Sequence, residues 1–578
     1  MNFGNALSVV HVVLGSFVLW IVPIRFAVLA DFAVFPAALA LQLCGLISAW
    51  RRGTAAASVS QQQQEQVSEH AITTARAASD QGPVRLRARG AAGLLGEAAK
   101  GAAGAVDASI VSKHRRASRL PVLKAVLLAA QVALFAMVVD FACRPLFAPA
   151  EDLVVFRLGH ISHDTARLHI RCPNSDTLEL RYRVLVPPQG AEGAGWEPAN
   201  NTPWESAGEF APPTNETDFT VTAALANLQP STRYVAELYS QQAVLNASAV
   251  RLGSVEFRTA PWPGAPTRLR FGSGSCVMPN FPYRPSRTPD IYGFRNMLAH
   301  SDGLDMVVFM GDFIYADVPM YFGPETSDYR RMYRRVYAAP STRQLLRKVP
   351  MVHVYDDHEI KNNWHSQDQP PMGSALTAFN EYNGRPNPPA AAPGVAYYNF
   401  ADGDADGAAR SMLGAAQKQH FLRWLHDVNH TAAVKFVVSS VPVTTGWFNH
   451  DSSQDTWRGY PTERAEILNA TQYVPNLFFL SGDRHEMAAV ELPSGNIEFS
   501  TSPVSQFTFP VVSRFRRNQD GDRTLHFRQR GHIKYGILDV DTATDPAIPR
   551  VTYSLYTADV DGGRRPVWVY EARGAAWR

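Results

Sequence analysis

Met306-Val-Val-Phe-Met310-Gly311-Asp312-Phe-Ile-Tyr315-Ala-Asp317 decides how this 578-residue chain folds. An unbroken apolar run reads as a strand buried on both faces, Gly311 ends it, and a carboxylate and a phenol follow at once. Three further junctions repeat the plan. Leu269-Arg-Phe271-Gly-Ser-Gly-Ser275-Cys276 lies upstream. Downstream come Met351-Val-His-Val-Tyr355-Asp356-Asp357-His358-Glu359, with Asn362-Asn363-Trp364 after it, and Leu477-Phe-Phe-Leu-Ser481-Gly482-Asp483-Arg484-His485-Glu486. Helical stretches alternate with these strands, which is an α/β pattern. Side chains that emerge where strands stop converge on one crevice. A thiol, a phenol, imidazoles and carboxylates brought together there form a metal-ligating set.

The remainder of the chain sets limits. A hydrophobic share of 46% against 19% charged residues excludes wholesale disorder. A net charge of +3 is too balanced to indicate nucleic-acid binding, and four cysteines cannot staple a disulfide-built protein. Residues 6–24 and 32–50 are two runs of nineteen without Asp, Glu, Lys or Arg, each long enough to span a bilayer. A cleaved signal peptide is the rival reading of the first, but a basic leading segment is missing and a second apolar run follows at once. Residues 122–143 hold only Lys124 and Asp140, near their ends, and follow Lys113, Arg115, Arg116 and Arg119. Residues 51–120 carry eleven Lys/Arg against five Asp/Glu, so this linker is expected on the cytosolic side. Everything after Cys143 then faces outward or into a lumen, although Arg25 opposes that orientation. Gln61 to Gln64 and an Ala/Gly-rich stretch mark the linker as a spacer.

Short alternating runs from about 154 to 259 predict a β-sandwich. Cys143 and Cys172 are the pair available for a disulfide in an oxidising lumen. Asn-x-Ser/Thr sites begin at Asn200, Asn215, Asn246, Asn429 and Asn469, all beyond the third apolar run, which predicts a glycoprotein. Pro261, Pro263 and Pro266 punctuate a linker into the α/β region. The expected organisation is two transmembrane helices in 1–52, a basic linker in 53–120, a third helix in 121–143, a sandwich in 150–262 and a catalytic domain in 267–578.

Gly311-Asp312-x-x-Tyr315, Asp356-Asp357-His358-Glu359 and Gly482-Asp483-Arg484-His485 match, with substitutions, the ordered motifs of dinuclear metallophosphatases. Together with Ser275-Cys276, Asn362-Asn363-Trp364 and Asp455-Thr-Trp-Arg-Gly-Tyr460 they make residues from about 150 to 575 resemble the PhoD-like alkaline phosphatases and phosphodiesterases. Leu228-Gln-Pro230-Ser-Thr232-Arg-Tyr234 resembles the corner of a fibronectin type III domain. The resemblance implies a four-layer α/β/β/α metallophosphatase domain behind a fibronectin-III-like sandwich, a phosphate-ester substrate, and a site of iron (Fe3+) and calcium. Ligand softness distributes them, with Cys276, Tyr315 and His485 around iron and Asp312 bridging. Asp357, one of Asn362 and Asn363, and Asp356 and Asp483 then serve calcium. His358 is expected to protonate or stabilise the leaving group, and Arg484 to neutralise phosphoryl oxygens. Asp317 reads as a helix cap, His353 and His365 as structural, and Trp457 and Tyr460 as rim packing.

Two alternatives stand beside this reading: a purple-acid-phosphatase-like hydrolase, and an inactive relative that keeps the fold as a surface binding protein. The second has a specific motive. The family's strand ending in Asp-x-Arg, before the Leu-Gly-x-x-Gln helix, is missing here. An acidic turn at 401–410 runs almost directly into Leu413-Gly-Ala-Ala-Gln417.

Overall fold

The computed structural model describes residues 3–21, 29–44, 46–48, 122, 124–175, 177–187, 196–198, 203–211, 213–241, 249–364, 368–389, 411–448, 455–508 and 514–575. The linker at 53–120, the acidic turn at 401–410, His365, Asn200 and Asn246 lie outside the described residues. The chain divides into two compact units, residues 1–17 with 26–139, and residues 18–25 with 140–578.

Leu29–Ser48 and the helix beginning at Lys124 and ending at Phe147 are apolar and long enough to cross a membrane, while Ala6–Ile21 is shorter. The second helix starts earlier than its uncharged run and takes in Asp31. That is possible because Asp31 is fully buried against His11, with Oδ1 2.6 Å from Nδ1. An ionisable group in an apolar helix is tolerated when it is paired.

The second unit begins with the sandwich. One sheet orders Val155–Ile161, Ala166–Arg171 and Thr220–Leu225, all antiparallel. The other orders Glu197–Pro198, Thr177–Val186, Arg233–Gln241 and Val250–Arg258, with Glu205–Phe210 also pairing Thr177–Val186. Alternate residues such as Leu158, Leu168, Leu180 and Leu238 fill its core. The Tyr234 hydroxyl accepts the Gln229 N–H at 2.9 Å, fixing the Leu228–Tyr234 corner. Cys143 and Cys172, the pair available for a disulfide, do not form one. Both thiols are free, and Cys172 is buried with Sγ 2.8 Å from Ser175 Oγ.

Two mixed sheets follow. The first orders Met351–Val354, Met306–Met310, Arg268–Gly274, Lys534–Asp541, Arg550–Thr557 and Trp568–Arg573, its first three strands parallel. The second orders Lys435–Val438, Leu477–Ser481, Ile497–Thr501, Met487–Glu491 and Arg523–Arg528. Apolar residues of both sheets, including Phe271, Met310, Leu480 and Phe499, share one core. Helices Thr326–Tyr337, Pro340–Lys348 and Met372–Phe379 pack on the first sheet through Tyr333, Leu345 and Phe379. Gly414–Asn429 and Pro461–Thr471 pack on the second through Leu425, Ile467 and Leu468. Trp457 and Tyr460 belong to that core rather than to a rim. Among the described residues, Lys435–Val438 is an edge strand of the second sheet.

The seam between sandwich and sheets buries His169 and His353, and neither ring nitrogen of either has a hydrogen-bond partner. Burial first, then the Arg157 guanidinium, holds both imidazoles well below the usual histidine range. The pairing with Tyr382 explains why Arg157 is tolerated there, since its Nη2 donates to the Tyr382 carbonyl at 2.8 Å. Histidines neutral in the fold but protonatable once unfolded cost stability as pH falls below about 6.5, by up to ~1.4 kcal/mol per pH unit for each ring. His353→Leu should therefore flatten the fall in thermal midpoint between about pH 7 and about pH 5. An unchanged slope would remove His353 from the account.

Candidate metal centre

The strand ends Arg268–Gly274, Met306–Met310, Met351–Val354 and Leu477–Ser481 bring the four sequence junctions together. Two glycines allow the approach. A Cβ at Gly311, whose φ is +93°, would stand 2.5 Å from Asp356 Cβ, and one at Gly482 would stand 2.3 Å from Ser275 Oγ. Cys276, Asp312, Asn363, Asp483 and His485 all have φ between +54° and +67°. For residues with a Cβ this region costs on the order of 1–3 kcal/mol each, and such strain gathers at functional sites.

The ligand atoms of Cys276, Asp312 and His485 lie within 4.8 Å of one another. The same holds for Asp312, Asp357 and His358, for Asp312, Asp356 and Asp483, and for Asp356, Asp357 and Asp455. The Tyr315 hydroxyl is 2.8 Å from His485 Nε2. Asn362, Asn363 and Arg484 line the same cavity of about 140 Å³, along with Trp447, Asp455 and Phe507. The structure thus gathers all eleven residues selected from the sequence around one centre.

Three neighbours were not read as functional from the sequence. Asp317, expected as a helix cap, instead accepts a hydrogen bond from His358 Nδ1 at 2.7 Å and from the Asn362 N–H at 3.0 Å. Asp455 lies 3.1 Å from Arg484 Nη1, which also reaches Asp483 at 3.2 Å, so the guanidinium is held between two carboxylates. Glu359 accepts the N–H groups of Asp312, Phe313, Ile314 and Asp356. The motif spacing carried a signal for Glu359 and for Asp455, but Asp317 became visible only with the geometry.

Burial sets the electrostatics. It pushes the Asp312 and Asp356 carboxyls well above the usual range, and Asp357 to about 6, with crowding by neighbouring carboxylates adding to the effect at each. Burial and the same carboxylates raise the Cys276 thiol and the Tyr315 phenol. His485 is held neutral by burial and by nearby cationic groups. At His358 burial opposes charge, but Asp317, Asp357 and Asp312 outweigh it and hold the imidazole protonated well above its usual range.

These donors fit metal ions. Asp312 Oδ1, both Asp356 oxygens and Asp357 Oδ1 are buried with no hydrogen-bond partner. Carboxylate oxygens left so in an apolar setting are costly unless a cation faces them. Asp312 belongs both to the group with the Cys276 thiol and the His485 imidazole, which the Tyr315 hydroxyl also reaches, and to the group with the Asp356 and Asp483 carboxylates.

Residues 274–401 and 389–547 match the model of the PhoD-like phosphatase family. The solved structure of PhoD shares the fold, with a TM-score of 0.51 at 17% identity, over 72% of this chain and 90% of that one. The purple acid phosphatase PPD1 from yellow lupin seeds aligns with a TM-score of 0.47 at 13% identity, over 72% of this chain and 73% of that one. A human fibronectin type-III domain aligns with 19% of this chain and 85% of its own length, at 16% identity and a TM-score of 0.12. No curated protein matches the sequence.

Proposed function

We propose that the chain is a membrane-tethered, metal-dependent phosphoesterase that hydrolyses phosphate esters. The observation that carries this reading is the set of buried, unpartnered carboxylate oxygens beside Cys276, Tyr315 and His485. Cys276, Tyr315 and His485 would hold iron, with Asp312 shared. Asp356, Asp357, Asp483 and one of Asn362 and Asn363 would hold calcium. Bound there, the metals would supply Lewis acidity toward the phosphate and a lowered pKa for water.

The protein's own groups supply the rest. Hydrolysis adds water across the ester: an oxygen joins phosphorus, the bond to the leaving oxygen breaks, and that oxygen takes a proton. His358 is placed to give it. Asp317 fixes Nδ1, which leaves Nε2 as the nitrogen free to transfer a proton, and the ring lines the cavity. Arg484, held by Asp455 and Asp483, presents a fixed positive group to phosphoryl oxygens.

Purified full-length protein should contain a transition metal and cleave a nitrophenyl phosphate ester, and Asp312→Asn should lose both. Metal-loaded wild type that cleaves neither mono- nor diesters would overturn the reading.

The basic bias of residues 51–120 supports a cytosolic linker and a phosphatase unit outside the cell or in a lumen. Asn215 and Asn469 are exposed and open to glycosylation there. Protease added to sealed vesicles should spare the phosphatase unit, and its digestion in intact vesicles would reverse the orientation.

A further inference from the structure

Residues 502–505, which follow the strand Ile497–Thr501, contribute no ligand candidate, yet they grip the backbone of two. The Ser502 hydroxyl oxygen accepts the His485 N–H at 2.7 Å. The Val504 N–H donates to the Ser275 carbonyl at 2.7 Å, and the Ser505 N–H to the Cys276 carbonyl at 3.1 Å. Lys534, at the start of the central strand Lys534–Asp541, closes the arrangement from behind. Its backbone N–H donates to the Pro503 carbonyl at 2.7 Å. Its Nζ donates to the carbonyl oxygens of His485 at 3.2 Å, Gln529 at 3.3 Å and Gly531 at 2.5 Å. Ser502, Ser505 and Lys534 are wholly buried.

The two gripped residues are among those with a left-handed backbone, Cys276 at φ +65° and His485 at +55°. An L-residue does not hold that conformation unless its surroundings over-determine it. At His485 they do so from both sides of the residue, the N–H through Ser502 and the C=O through Lys534. Rotation of this backbone would swing the imidazole away from the Tyr315 hydroxyl and out of reach of Cys276 and Asp312. An ordinary buried lysine needs only some partner for its charge. Here all three donors go to main-chain carbonyls, one of which belongs to a ligand candidate.

We propose that Ser502 and Lys534 are positioning residues that hold His485, and through residues 504–505 also Cys276, in the geometry required of metal ligands. This rests on the reading of Cys276, Tyr315 and His485 as one metal cradle. Partners that orient metal ligands typically change affinity by about 10–100-fold when removed.

The test is a cobalt(II) titration of metal-free full-length protein in detergent, with calcium present throughout. The thiolate-to-cobalt absorption band reports on Cys276 without any turnover. Ser502→Ala should weaken cobalt binding by about 10–100-fold and reduce the band at matched concentration. Ser502→Thr keeps the hydroxyl oxygen and should restore most of the affinity, which a general packing role would not produce. Lys534→Met should weaken cobalt binding in the same direction, and if it fails to fold, the Ser502 pair of variants decides alone. Wild-type affinity and band in Ser502→Ala would overturn the proposal, as would a wild-type protein whose bound cobalt shows no thiolate band. Hydrolysis by the wild type is scored separately. A Ser502-dependent band in a protein that cleaves no phosphate ester would strike the phosphoesterase reading and leave the positioning role standing.

Discussion

His358→Ala is expected to lower kcat/KM for alkyl phosphate esters by about 10²–10⁴-fold, and for aryl esters of acidic phenols far less. A poor leaving group needs a proton as its bond to phosphorus breaks, whereas an acidic phenol departs as the anion. The ring is built for donation. It is nearly buried, its Nδ1 is fixed by Asp317 at 2.7 Å, and three carboxylates favour its protonated form despite burial. Burial works against charge on Asp317 too, but the adjacent His358 holds that carboxyl below its usual range, so the pair forms a mutually stabilised dyad. Asp317→Asn should therefore shift the alkaline limb of the pH profile to lower pH, because removing the anion lets His358 lose its proton earlier. The comparison belongs on kcat/KM, which measures transition-state stabilisation relative to free enzyme and substrate. His358 also lies with Asp312 and Asp357 in one potential ligand group. Metal lost along with activity would make it a ligand, and equal losses on both ester types with metal retained would reduce it to binding phosphate. Either outcome removes the acid role.

The sequence was legible where chemistry repeats a local pattern. An apolar run, a glycine and a metal-type side chain recur at four junctions, and each is a strand end in the structure, because the period of a buried strand and the break after it are local properties. The partners of those side chains were not legible. Asp317 and His358 are 41 positions apart and Asp455 and Arg484 are 29 apart, so no spacing rule links them. The boundary of the second apolar run at residue 32 differs from the helix start for a related reason. A carboxylate next to an apolar run reads as the end of a span until its histidine, 20 residues earlier, is seen across the bundle. Ser502 and Lys534 illustrate the limit further. A serine after a strand and a lysine at the start of one carry no local signal, and their effect is exerted through backbone groups that sequence does not distinguish.

Glu359→Gln is expected to destabilise the phosphatase unit by about 2–6 kcal/mol and to empty the metal centre, although Glu359 is not a ligand candidate. Its Oε1 accepts the N–H groups of Phe313 at 2.6 Å and Ile314 at 3.1 Å, and its Oε2 those of Asp312 at 2.9 Å and Asp356 at 2.7 Å. An amide cannot reproduce this. Whichever way the glutamine is turned, its NH2 faces two of the four donors. Those two N–H groups are then buried without an acceptor, at about 1–3 kcal/mol each. The damage reaches the site because the bonds tie two strand-end loops to one carboxylate, and Asp312 among them has a left-handed backbone at φ +54°. Once its N–H is released, the loop relaxes toward ordinary φ and carries the Asp312 carboxylate out of the three ligand groups it joins. The thermal midpoint and the metal content should fall together. A Glu359→Gln protein with lowered stability but full metal content would show that the ligand loops keep their shape without this carboxylate, and that the strain at Asp312 is held by its other neighbours.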